Sequence, residues 1–301
     1  MNDFKADRSS GSHDVGTAFL ATLERWVGLD RSPSGHALRG ALLDFLREAQ
    51  AAQPTMALVH QLAARALDVT DTALRREDAA AAVREHLLES CRAEREDLAA
   101  AARAVARTAL GLVTESETWV ATLSSSATVR DALRHAHAAG RRPRALVGEG
   151  RPRLEGREMA AALAAAGIPV WLAADAALPL LLGHAGMLWI GADAITEQGV
   201  INKIGSYAAA LAARERSVPV YALASRRKFL PAGTPALRII EQPPAEIWDA
   251  PAPGVQPRNI YFELVPLALL RGIVVEDAVL GASEAATVAR ERGLPEALTT
   301  A

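Results

Sequence analysis

The sequence predicts an α/β protein with an N-terminal helical domain followed by a Rossmann-like parallel-sheet domain. Three observations carry this. As far as Val113 the chain is rich in Ala, Leu, Arg and Glu at helical spacing. Beyond Thr114 short apolar runs alternate with helical segments, the pattern of parallel strands joined by crossover helices. Each run is apolar on both faces, as strands covered by helices on both sides must be. The expected layout is a disordered leader at 1–15, a helical domain at 16–113, an α/β domain at 114–285 and a C-terminal tail at 286–301.

Four helices are expected first, separated by "DRSPSG" at 30–35, "AQPT" at 52–55 and "DVTD" at 68–71, each of which offers capping residues or proline. The last is predicted over about Thr72 to Leu112. On it Val83, Leu87, Cys91, Leu98 and Val105 share one stripe about 80° wide, with Glu94 as an imperfection in the seam. Cys91 among these aliphatics reads as packing. The strands follow as "TWVATL", "RALVG", "IPVWLA", "MLWIGA" and "VPVYALA", and "EQPPAEIWDAPAPGVQP" at 241–257 reads as a Pro-rich surface loop.

Composition excludes several classes. The 33 Lys and Arg nearly balance 35 Asp and Glu, for a formal charge of −2, so net charge gives no reason to expect nucleic acid or an anionic membrane as partner. One cysteine excludes an internal disulfide or a multi-cysteine zinc site, and a reducing cytoplasm is the expected location. The most apolar stretch, 176–192, is cut by Pro179, Gly183, His184 and Gly186, which makes it core material and no membrane span. No cofactor and no metal are expected. Gly148 and Gly150 lack the third glycine of a dinucleotide loop, whose place is held by Arg153. His135 and His137 lie two apart on a helix and face different ways. Ser126, Asp131 and His135 on one helix make no triad.

Ligands of a parallel sheet bind at the carboxyl ends of its strands, so the residues after each run are the candidates. They are Ser124, Ser125 and Ser126; Glu149 and Arg151; Asp193; and Arg226, Arg227 and Lys228. The three serines enter a helix and read either as caps or as caps that also cradle an anion. Arg151 can fork onto a phosphate, and Lys203, read as opening another helix, adds a point charge. Asp193 is a proton carrier or a partner for sugar hydroxyls, or merely the cap of a turn at 195–201.

"GADAITEQGVINKIGSYAAALAARERSVPVYALASRRKF" at 191–229 closely resembles the signature region of the superfamily that joins the alpha, beta and delta subunits of translation initiation factor 2B to methylthioribose-1-phosphate isomerase and ribose-1,5-bisphosphate isomerase. The similarity extends through "GEGRPRLEGREMAAALAAAGIPV", "NIYFELVPLALLRGIVVEDAVL" and "SPSGHALRGALLDFLREAQAAQPTMALV", covering roughly 32–280. The resemblance implies a phosphorylated sugar or nucleotide as ligand, in a pocket between the domains, and pairing into a homodimer. Tyr261, Phe262 and Leu264 are the expected apolar surface for that pairing.

Carried over by position, Asp193 matches the isomerases' catalytic Asp, Asn202 and Lys203 their substrate-binding pair, Arg151 the Arg of an Arg-Pro motif, and Lys228 a lysine of the bisphosphate enzymes. Other positions depart. Ser124 stands where the isomerases have a catalytic Cys, Ser34 and Gln53 stand for two phosphate-binding arginines, and Glu155 stands for a Gln. Gly35, the glycine beside Ser34, remains a candidate ligand-binding residue. Moving a proton between C1 and C2 of an aldose phosphate needs two groups matched to working pH. A Cys can be tuned into that range and a Ser hydroxyl cannot. The residues therefore favour a ligand-binding, factor-2B-like protein over the alternative, an aldose-ketose isomerase using Asp193.

Overall fold

A computed structural model describes residue 4, residues 11–113 and residues 117–299. The helical domain contains α1 (Ser12–Leu29), α2 (Gly35–Ala52), α3 (Ala57–Arg75) and α4 (Ala80–Leu110). The end of the expected leader therefore belongs to α1, and the rest of the leader apart from Phe4 and Gly11 lies outside the described residues. "DVTD" does not break a helix. Thr70 donates its hydroxyl to the Ala66 carbonyl one turn back, at 3.0 Å, and Asp71 is paired with Arg39 of α2, so α3 runs on to Arg75. The break falls at 76–79 instead, with Glu77 in the left-handed region at φ 60°.

The apolar stripes of the four helices close one core around Phe19, Leu38, Leu42, Leu58 and Leu87. On α4 all five predicted stripe residues are buried, and Glu94 is buried with them. Its carboxylate is met by Arg227, which arrives from the sheet domain, and Arg65 lies 3.6 Å away. The imperfection in the seam is a link between domains.

The second domain carries a seven-stranded sheet in the order β10-β9-β7-β4-β1-β2-β3. Its predicted members are β1 (Thr118–Leu123), β2 (Pro143–Gly148), β3 (Val170–Ala173), β4 (Met187–Ile190) and β7 (Val220–Leu223), all parallel. β9 (Gly272–Val274) extends the parallel set and β10 (Val279–Leu280) closes the edge antiparallel. The far end of α4, with α5 (Ala127–Ala138) and α6 (Glu155–Ala165), buries Val120, Val147 and Trp189 on one face. The short α7 (Leu178–Leu181), α8 (Ser206–Glu215) and α9 (Ala282–Glu291) cover the other.

Three expectations change here. The segment after β4 is neither a turn nor a helix start. β5 (Ala194–Ile195) and β6 (Gly199–Lys203) form an antiparallel hairpin that β8 (Phe262–Pro266) extends into a second, three-stranded sheet. Asp193 thus caps no helix, and Lys203 ends a strand. The expected tail, 286–301, is partly α9, and Leu298 is buried in the helical domain's core. Tyr261 and Leu264 do not form an apolar surface either. Tyr261 is fully buried and Leu264 packs on Ala57, Ile201 and Leu230, because β8 is paired to β6.

Candidate functional site

The carboxyl ends of β1 and β4, the hairpin and the first turn of α1 enclose one narrow cavity, about 50 Å³. That is room for a few waters. Ser124, Ser125, Ser126, Glu155, Asp193, Asn202, Lys203 and Lys228 line it, together with Gly11, Ser12, His13 and Tyr261.

β1 delivers the serines. Ser124 follows the strand with φ 57°, its amide donating to the Gly148 carbonyl at 3.2 Å, and this left-handed step turns the chain into α5. Ser126 caps that helix by accepting from the Val129 amide at 3.4 Å. Gly191, after β4, approaches so closely that a Cβ there would lie 2.7 Å from the Ser126 hydroxyl. The start of α5, with its free amides and dipole, is thus presented to the cavity.

Asp193 is held by its backbone: its amide donates to Ile201 at 2.8 Å and its carbonyl accepts from Ala57 at the start of α3 at 2.9 Å. Burial pushes its carboxyl up to about 6, against the opposing pull of Lys228 and Lys203. Lys228 donates to the Ala192 carbonyl at 2.6 Å, and burial lowers its pKa while Asp193 and Asp14 hold it up. Lys203 donates to Glu155 Oε1 at 2.8 Å and lies 4.3 Å from the centre of the Tyr261 ring, a cation–π distance. Tyr261 is anchored in turn by its hydroxyl on Glu246, from the Pro-rich loop. Asn202 donates to Ser206 at 2.9 Å, which joins the end of β6 to the start of α8.

Two predicted residues are not brought in. Gly35 is packed at the start of α2 against Leu74 and Val83, a neighbourhood that leaves no space for a ligand, and Ser34 beside it is a plain cap for Ala37. Arg151 is exposed and lines no part of the cavity. The loop that carries it has its donors already in use, since Asp175 accepts from the amides of Gly150 at 2.8 Å and Arg151 at 2.7 Å. Glu149 next to it pairs with Arg157 at 3.1 Å. Gln53 is buried and donates to the Phe4 carbonyl at 3.2 Å.

Sequence reasoning missed the α1 side of the site, Gly11 to His13, and Tyr261. The signal was available: "SSGSH" stands directly before the helical spacing of Val15, Phe19, Leu20 and Leu23, the pattern of a helix start. His13 is half-buried at this edge, with its pKa lowered chiefly by burial. Cys91 is no part of the site. Burial in the helical core, with Glu24 nearby, pushes its thiol up to about 12. Among the described residues no group of His, Cys, Asp or Glu is arranged to hold a metal ion, and no helix is long and apolar enough to cross a membrane.

Comparison with known proteins matches residues 8–281 to the model of the initiation factor 2 subunit family. A translation initiation factor eIF-2B subunit 2-like protein of Pyrococcus horikoshii is 31% identical over 282 residues, spanning 92% of this chain and 93% of that one. A ribose 1,5-bisphosphate isomerase of Archaeoglobus fulgidus is 33% identical over 181 residues, 58% of this chain and 57% of its own. A methylthioribose-1-phosphate isomerase of Nitrosococcus oceani is 33% identical over 183 residues, 57% of this chain and 52% of its own. Among solved structures, a Pyrococcus horikoshii translation initiation factor eIF-2B superposes with a TM-score of 0.80 at 25% identity, covering 93% of this chain and 94% of that one.

Proposed function

Because the chain belongs to the initiation factor 2 subunit family, we propose that it is a factor-2B-like cytoplasmic protein whose cleft binds a phosphorylated sugar or a nucleoside monophosphate in a regulatory or interaction role, without turning it over. The phosphate would sit at the start of α5, on the amides and hydroxyls of Ser125 and Ser126, with Lys203 and Lys228 behind it. The first turn of α1 would move outward to admit it, since the cavity holds only a few waters as it stands.

The observation that carries this reading is the residue after β1. It is a hydroxyl, Ser124, and the chain's cysteine lies in another core with its thiol pushed up to about 12. Neither can share acid–base work with Asp193 at neutral pH.

A second reading, an aldose-ketose isomerase, is favoured by one specific feature. Asp193 is poised at about 6, and His13, with its pKa lowered, lines the same cavity. Asp193 would carry the proton between C2 and C1 while neutral His13 hydrogen-bonded the neighbouring oxygen.

Binding is tested by thermal denaturation with ribose 5-phosphate and AMP. A ligand that binds only the folded state raises the melting temperature. We expect such a rise, reduced in Lys203→Ala by a loss of about 1–3 kcal/mol in affinity. No shift with any sugar phosphate or nucleoside monophosphate would remove the ligand reading and leave an interaction module.

A further inference from the structure

The charged groups lining the cleft cancel. Among the described residues two are lysines, Lys203 and Lys228, and two are carboxylates, Glu155 and Asp193; all four side chains are buried, and no described arginine lines the cavity. The Lys203–Glu155 pair is closed at 2.8 Å with both side chains only 7% exposed, so the carboxylate offsets the lysine's charge while taking one of its three ammonium hydrogens. Glu155 is also left half satisfied. Its Oε2 has no hydrogen-bond partner although it is shielded from solvent, and it lies close to Gly150, where a Cβ would come within 3.0 Å of it. A buried carboxylate oxygen without a donor is costly, and the group that would relieve it is a hydroxyl or amino hydrogen. A phosphate oxygen in the same place adds charge repulsion to the unsatisfied acceptor.

The cleft therefore has two unlike sides. At the start of α5 the amides and the dipole favour an anion, with the Ser125 and Ser126 hydroxyls beside them. At the Glu155–Lys203 pair the net charge is zero, and the open valence is an acceptor.

We propose that Glu155 makes this cleft selective for ligands with a single phosphate, whose uncharged, hydroxyl- or amino-bearing part donates to Glu155, and that it rejects doubly phosphorylated sugars. This rests on the sugar-phosphate reading above. It narrows that reading to singly phosphorylated ribose compounds and nucleoside monophosphates.

The test is calorimetric titration of the whole protein with ribose 5-phosphate and with ribose 1,5-bisphosphate, in the wild type and in Glu155→Gln. Gln keeps the shape and the oxygen that Lys203 uses, but removes the charge. We expect the wild type to bind the monophosphate at least tenfold more tightly. Glu155→Gln should shrink that ratio at least fivefold, chiefly by tightening the bisphosphate. Equal wild-type affinities, or a preference for the bisphosphate, would overturn the proposal even if the variant failed to fold. A ratio unchanged in a folded variant would assign the discrimination to space and not to Glu155, and would overturn it as well. No binding of either sugar would instead bring down the ligand reading itself, which separates the two failures.

Discussion

Asp193 shows how burial sets chemistry at a single residue. Its carboxyl titrates at about 6 in the folded protein against 3.8 when free, so between those values the folded state binds more protons than the unfolded chain. The stability this proton contributes is present in full below about pH 4 and is lost as pH rises through 6, on the order of 3 kcal/mol in total. Asp193→Asn removes the penalty. The variant should be more stable than wild type at neutral pH, and its advantage should grow by about 1–1.5 kcal/mol between pH 5 and pH 7.5 in denaturant titrations. An advantage that is flat across this range would show that the carboxyl is not raised. The three serines, Asp193 and Lys228 can be picked out in sequence because each follows a predicted strand, whereas Lys203 reads there as a helix start and Asn202 comes from the family resemblance alone; all of them line the same cavity. Arg151 too follows a strand but lines no part of this cavity, and its loop's amides are taken by Asp175, which arrives from after β3, a contact that strand order alone does not reveal. Gly11 to His13 were hidden for a different reason: a helix start is visible in sequence, but where it points depends on the packing of α1 against the sheet domain.

The elements that build the site depend on close backbone approaches. Gly156, in the first turn of α6, lies against the end of β2, and a Cβ there would fall 2.0 Å from the Gly148 carbonyl oxygen and 2.8 Å from the Glu149 Cα. Backbone atoms cannot yield as a flexible side chain can. Gly156→Ala should therefore cost about 1–3 kcal/mol or more in urea denaturation, and it should also disturb ligand binding because Glu155 is its neighbour. A variant as stable as wild type would mean that α6 is not seated as described. The five apolar runs all became strands, since an unbroken apolar run between helical segments has few other solutions. The hairpin of β5 and β6 escaped notice because its pairing with β8 joins residues some sixty positions apart. Its short strands carry little periodicity of their own.

At the scale of the whole molecule, the two domains are tied at the cleft. Arg227, one residue before Lys228, pairs with Glu94 and with Asp97 on α4, and the Ala57 amide at the head of α3 donates to the Asp193 carbonyl. A ligand in the cleft would thus touch the residues that join the domains, which is the arrangement a sensing protein needs. The apolar side chains left on the surface gather partly in and beside the Pro-rich loop, at Ile239, Ile247, Trp248, Val255 and Ile260. We expect this region to be covered in a homodimer, with light scattering at micromolar protein giving twice the chain mass and Trp248→Glu giving the monomer. A monomeric wild type would contradict the expectation. The central claim is that the cleft binds without turnover, and phosphorus NMR of methylthioribose 1-phosphate mixed with the protein tests it most directly. The account predicts a phosphate signal that broadens or shifts with added protein and no new ketose phosphate signal after prolonged incubation. Ketose that accumulates with wild type and is absent with Asp193→Asn would contradict it and establish the isomerase.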